Sequence, residues 1–284
     1  MDPEPKKVIL STAWYQFKAK FDKDIYRKWI HNMLSNVNNY KLVVYTNEES
    51  NPYVLPYTSN PNIKLVIKEE QEFYGYKYKK EWKANHERNE LLNQKVDWRV
   101  NMLWNEKVHF VYETVTNGYF VDANETGSKD KTETIYGWCD IGYFRCRTTD
   151  ITQSEISGWP NPEAITKVKI NSKIYYARVN NDSEYIKHLF TIANTKSAAG
   201  MPVFDIPPTQ NSIAGGFFLI SKANLLWFRE EYDKTLKRYF FFNTLIKDDQ
   251  IILVDVIFSN MARFTLIQTK EDQDKWFQFQ RFLR

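Results

Sequence analysis

The stretch Ile135-Tyr136-Gly137-Trp138-Cys139-Asp140-Ile141-Gly142-Tyr143-Phe144-Arg145 decides how the chain is read. An apolar run ends in one acid, a glycine follows, and an arginine comes shortly after it. This is the pattern of a buried strand delivering an acid to a cleft at its carboxyl end, with the glycine permitting close backbone approach. An Asp so placed can hold a divalent cation against a diphosphate. The alternative is an Asp-x-Gly turn that caps its own backbone. Trp138 and Arg145 suit a sugar face and a phosphate respectively.

Upstream, Val8-Ile9-Leu10-Ser11-Thr12-Ala13-Trp14 reads as a buried first strand, followed by an amphipathic helix with Phe21, Ile25, Trp29, Ile30, Met33 and Leu34 on one face. Lys41 to Thr46 and Ile63 to Ile67 give two more strands, joined by a polar, proline-bearing connection. Strand, helix, strand in this order predicts a parallel sheet with a right-handed crossover. From Lys79 to Val115 the period is helical, with Trp82, Leu91, Leu92, Val96, Leu103, Phe110 and Val111 as core candidates, and a polar loop over 122–134 leads into the strand at 135.

Downstream, the chain is irregular through Trp159-Pro160-Asn161-Pro162, then offers a strand at Lys173 to Val179 and a long loop, Ala193 to Ser212, that reads as a lid. Ile213 to Ile220 is a strand containing Gly215-Gly216. Ser221 is placed to cap a helix bearing Leu225, Phe228, Tyr232 and Leu236, and a last helix starts at Asp248-Asp249-Gln250 and ends near Phe258. The fold class is α/β: a Rossmann-type, mostly parallel central sheet flanked by helices, with an extension on the acceptor side. One domain spans 1–284, divided into a nucleotide-binding half, 1–145, and an acceptor-binding half, 146–284.

Composition excludes more than it assigns. The 39 Lys and Arg against 35 Asp and Glu leave a net charge of +4, too little to name a polyanion, so bulk nucleic-acid binding is disfavoured. Aromatic residues at 16% fill a core or stack on sugars and bases. Cys139 and Cys146 form no disulfide framework and the four histidines no zinc-spaced pair, which points to a reduced compartment. The polar start, Met1 to Lys7, and the absence of an apolar run of roughly 20 residues predict a soluble, cytoplasmic protein. P-loop, serine-hydrolase and dinucleotide motifs are all missing.

Four other groups carry chemistry. Asp249 and Gln250, at a helix start, can grip sugar hydroxyls or take a proton from an acceptor, or Asp248-Asp249 simply caps the helix. Gly215 and Gly216 let a ligand lie against backbone, or mark a bulge. Lys107 can reach a phosphate, or is solvated. Thr12, Ala13, Trp14 and Tyr15 lie just beyond strand one, where nucleotides bind in open α/β sheets, although Trp14 in the core is the alternative.

As a set, Ser11 to Tyr15, Leu42 to Thr46, Trp104-Asn105-Glu106-Lys107, Trp138 to Gly142 with Arg145, Trp159-Pro160, Ile213 to Phe218 and Asp249-Gln250 resemble the YibB/HtrL-type family of glycosyltransferases, within the GT-A nucleotide-sugar enzymes. The resemblance implies a GT-A fold in which Thr12 to Tyr15 hold base and ribose, and Asp140 holds Mn2+ or Mg2+ on the diphosphate. Gly215-Gly216 and Asp249-Gln250 would frame the donor sugar and acceptor hydroxyl. It departs from the family group's Asp-x-Asp signature, since only one acid is present and a late metal-binding His is missing. The expected reaction is transfer of a hexose, or a pentose such as xylose, from a UDP-sugar to a hydroxyl of an oligosaccharide or glycoprotein glycan. Asp249 is the candidate base if configuration inverts, which an available acid favours. A glycan-binding module without catalysis is the alternative. A nucleotidyltransferase would need a glycine-rich, basic loop after strand one, and Thr12-Ala13-Trp14-Tyr15 is not one.

Overall fold

A computed structural model describes residues 6–121, 133–170, 172–268 and 274–284. Most of the polar loop expected over 122–134 therefore lies outside the described residues. The elements run β1 (Lys7–Trp14), α1 (Lys23–Leu34), β2 (Lys41–Thr46), β3 (Ile63–Ile67), α2 (Lys79–Arg88), α3 (Trp98–Asn105), α4 (Lys107–Thr116), β4 (Thr134–Cys139), α5 (Gln153–Ile156), α6 (Pro162–Thr166), β5 (Ile174–Arg178), α7 (Ser183–Asn194), β6 (Ile213–Ile220), α8 (Lys222–Phe241), α9 (Asp249–Ser259), β7 (Phe264–Ile267) and α10 (Gln278–Phe282).

One seven-stranded sheet, ordered β3-β2-β1-β4-β6-β5-β7, draws strands from both sides of residue 145. It is the mostly parallel, helix-flanked α/β sheet that the sequence predicts. Only β6 is reversed, pairing antiparallel with both β4 and β5. The central strands are buried on both faces, and alternate residues serve opposite cores. Ile9, Val43, Tyr45, Trp138 and Phe218 pack with α4, α8 and α9. Leu10, Leu42, Val44, Ile135, Phe217 and Leu219 pack with α1 and the C-terminal segment. Each such side chain contributes about 1.5–3 kcal/mol on burial.

The reversal of β6 builds the site. Its amino end lies beside the carboxyl end of β4, with Cys139 opposite Phe217, and the Asp140 N–H donates to the Gly216 carbonyl at 2.9 Å. Gly215 and Gly216 are thereby brought to the same sheet edge as Asp140. α9 is buried from Ile251 to Phe258, mostly by apolar side chains, which fixes its first turn at that edge. Asp248 is its N-cap and accepts from the Gln250 N–H at 3.2 Å, so Asp249 is free of that duty.

Several local expectations need correction. The helical stretch at 79–115 is three helices, because Asn89 ends α2 and Asp97 caps α3 by accepting from the Arg99 N–H. Leu91 is exposed as a result. Phe21 precedes α1, and Ile25 is exposed within it, so only Trp29, Ile30, Met33 and Leu34 form its buried face. Ser221 holds the N-cap position of α8, but its side chain makes no capping hydrogen bond. The loop expected from Ala193 begins after Asn194, since α7 continues that far. α5, α6, β7 and α10, all short, and the twelve-residue α7 escaped the sequence reading. Among the described residues no helix is long and apolar enough to cross a membrane.

Candidate functional site

A cleft of about 550 Å3 opens at the carboxyl ends of β1 and β4. Its floor is a single buried ammonium. Lys107, the first residue of α4, donates Nζ to the Gly215 carbonyl at 2.9 Å and to Asp249 Oδ2 at 3.0 Å, and stands 3.1 Å from Asp140 Oδ1. An ammonium has three donors, and all three are committed. Lys107 is therefore neither a solvated helix lysine nor a free arm for a phosphate: it ties the two acids to the β6 backbone. Burial alone would lower its pKa, but Asp140 and Asp249 outweigh burial and raise it, so the charge is kept.

The two carboxylates differ in setting. Asp140 has 39% of its side chain exposed and Asp249 8%. Burial pushes Asp249 up to about 6, with Asp248 and Asp140 adding to the rise and Lys107 opposing it. Asp140 is oriented by Trp138, whose Nε1 donates to Oδ1 at 2.6 Å. Trp138 is itself stacked on Phe110 in the core, so it aims the acid and presents no platform to a sugar, contrary to the sequence expectation. Gly216 leaves room for Asp140: a Cβ there would stand 3.3 Å from Oδ2. The bulge reading of the glycines is also realised, since the β5–β6 register shifts between Tyr175 and Ala177.

The neighbours of Lys107 in sequence hold it in place. Glu106, buried, accepts from the backbone N–H groups of Tyr74 and Gly75 at 2.6 and 2.9 Å. Asn105 donates to the Asn101 carbonyl and accepts from the Tyr232 hydroxyl at 2.7 Å. Trp104 lines the cleft.

A side nook of about 90 Å3 shares Tyr26, Trp104, Asp140 and Arg145 with the cleft, and Ala13, Trp14 and Tyr15 form its far wall. Trp14 is packed against Tyr26 and Tyr53, so no broad ring face is open for stacking; its buried Nε1 has no partner among the described residues. Tyr15 donates to the Lys68 carbonyl at 2.8 Å. Thr12 is fully buried and lines neither space. The structure thus gathers Asp140, Asp249, Lys107, Arg145, Gly215, Gly216 and Gln250 around the cleft, sets Ala13 to Tyr15 and Trp138 behind it, and leaves Thr12 out.

Arg145 is held by its Nε bond to the Gly142 carbonyl at 3.0 Å and lies 4.2 Å over Trp29 and 5.0 Å over Phe277. Gly142 permits this, because a Cβ there would meet the Trp29 ring at 2.8 Å. Arg145 makes no ion pair among the described residues, and burial lowers its pKa. Across the cleft Lys20 lies 4.7 Å over Trp104, also with no ion pair among them. The remaining cations are taken: Lys247 by Asp248 at 3.0 Å, and Arg147 by Asp150 and Asp274 at 2.9 and 2.7 Å. Thr209 to Asn211, from the loop read as a lid, line the cleft, whereas Lys20, Tyr26, Lys247 and Phe277 escaped the sequence reading, because segments distant along the chain deliver them and no local pattern marks them.

The donor set does not fit the Mn2+ or Mg2+ expected on Asp140. Among the described residues no three His, Cys, Asp or Glu side chains gather to hold a metal. One oxygen of Asp140 is already shared between Lys107 and Trp138, and Asp248 and Asp249 are paired with lysines.

No family model and no curated protein matches the sequence. Among solved structures the chain is similar to a 4-diphosphocytidyl-2C-methyl-D-erythritol synthase from Anaerococcus prevotii DSM 20548, at 8% identity and a TM-score of 0.36, over 98% of this chain and 96% of that one. A likeness at that level leaves function to be argued from the site alone.

Proposed function

We propose that the chain is a GT-A-like glycosyltransferase of the YibB/HtrL type, which moves a sugar from a nucleoside-diphosphate donor, a UDP-sugar, to a hydroxyl of a glycan. The observation that carries this reading is the pair of acids of unlike exposure, Asp140 and Asp249, bridged by one buried lysine at the floor of a cleft large enough for a nucleotide sugar. In this reading the nook walled by Ala13 to Tyr15 takes the base edge, Arg145 faces the diphosphate, and Asp140 uses Oδ2 to orient the donor sugar.

Asp249 is the base. A carboxylate whose pKa burial has lifted toward neutrality is a better proton acceptor than an exposed one, and it remains ionised at pH 7. Its Oδ2 is held by Lys107, which fixes the angle at which the other oxygen meets an acceptor hydroxyl. Gln250, beside it on the cleft wall, offers an amide to neighbouring sugar hydroxyls. Inversion at the anomeric carbon follows if that oxygen lies opposite the leaving diphosphate.

The test is release of free sugar, or transfer to added oligosaccharides, from UDP-glucose, UDP-galactose, UDP-xylose and GDP-sugars. Turnover of one donor that is lost in Asp249→Asn supports the proposal. A second reading is favoured by the rings of Phe21, Tyr26, Trp104 and Trp276 around the cleft, which suit a glycan-binding module without catalysis. Oligosaccharide binding with no turnover of any donor would establish that reading instead.

A further inference from the structure

We infer that the cleft neutralises the leaving diphosphate with two fixed cations, Lys20 and Arg145, in place of a divalent metal. The inference rests on the reading of the cleft as a nucleotide-sugar site and assigns its anion-binding chemistry.

Five cations line the cleft, and three of them are committed to carboxylates. Lys20 and Arg145 remain, and each is held by the flat face of an aromatic ring, which attracts a cation without discharging it. The diphosphate of a nucleotide sugar carries two negative charges, so two uncommitted cations match it. Arg145 is the more built of the two. Its Nε is spent on the Gly142 carbonyl, its ring contacts fix the plane, and its terminal N–H groups are left to meet a planar pair of phosphate oxygens. A partly buried guanidinium with no counter-ion is an unfinished ion pair, and the cleft is where the missing anion enters.

Asp140 then serves a different end from metal binding. It shares Lys107 with Asp249, and its Oδ1 is already taken by that ammonium and by Trp138. When the sugar bond breaks, charge grows on the diphosphate and is met by donors already in position, which need no reorganisation.

The test is binding of UDP and of inorganic pyrophosphate to the full chain, by calorimetry, once with excess EDTA and once with excess MnCl2. The expected result is the same UDP affinity in both buffers. Lys20→Ala and Arg145→Met should each weaken it roughly ten- to hundredfold in EDTA, the range of a charge-assisted contact, and Asp140→Asn should leave it intact or tighter. Lys20 is exposed, so its variant reads the site even if Arg145→Met folds poorly. UDP binding that needs Mn2+ overturns the inference and leaves the nucleotide-sugar reading standing. Metal-free binding that neither cation variant weakens also overturns it. If neither UDP, GDP nor pyrophosphate binds in either buffer, the nucleotide-sugar reading falls and takes the inference with it.

Discussion

A Cβ on Gly215 would stand 2.5 Å from Oδ2 of Asp249, closer than any side chain tolerates, so the absence of a side chain on β6 is what admits the carboxylate from α9. The same oxygen accepts from Lys107, whose third donor goes to the Gly215 carbonyl. Three elements are thus locked by one missing methyl group.

Gly215→Ala is expected to push Asp249 off Lys107. Overpacking of this kind costs about 1–3 kcal/mol, and the displaced base should lower turnover more than tenfold. Thermal melts and kinetics on one preparation check it, and unchanged turnover would remove Asp249 from the reaction.

Turnover should rise with pH through about 6, because the base works only when Asp249 has lost its proton. The stability term has the opposite sense. Burial raises Asp249 above its unfolded value, so the folded state binds the proton more tightly, and this group's contribution is full below about pH 4 and is lost as pH climbs to about 6. Rate profiles and denaturant midpoints across that window test both statements, and Asp249→Asn should flatten both.

Lys107→Met leaves two acids without their shared cation. Breaking a buried pair costs about 3–5 kcal/mol. Whatever activity survives should show its acid limb at higher pH, since Lys107 is the group that holds Asp249 down. Lys107→Arg should not restore activity, because a planar fork cannot meet three acceptors arranged around a point.

Asp140→Asn should abolish most turnover and leave the fold almost untouched. An amide oxygen still accepts from Trp138, and Lys107 keeps its bonds to Asp249 and the Gly215 carbonyl, so no buried charge is left unpaired. A melt within a few degrees of the parent protein, together with lost activity, is the expected pair of results; normal activity would take Asp140 out of the mechanism.

Much of this was legible in the chain itself. Continuous apolar runs marked β1, β2, β4 and β6, the acid after Cys139 marked a strand end, and Asp248-Asp249-Gln250 marked a helix start, because each depends on residues adjacent in sequence. The break of 79–115 into three helices was hidden, since caps such as Asp97 look like ordinary polar residues within a helical period. Trp138 could be recognised as an aromatic beside an acid, but whether it faced ligand or core could not.

Local pattern by itself determined six of the seven strands, the start of α9 and the two acids. Tertiary structure alone decided that the acids meet. Lys107 reaches across 142 positions to Asp249 and 108 to Gly215, and it does so because β6 runs against its neighbours and carries its glycines to the carboxyl end of β4. Strand direction follows from long-range pairing and burial, which no short stretch of residues encodes.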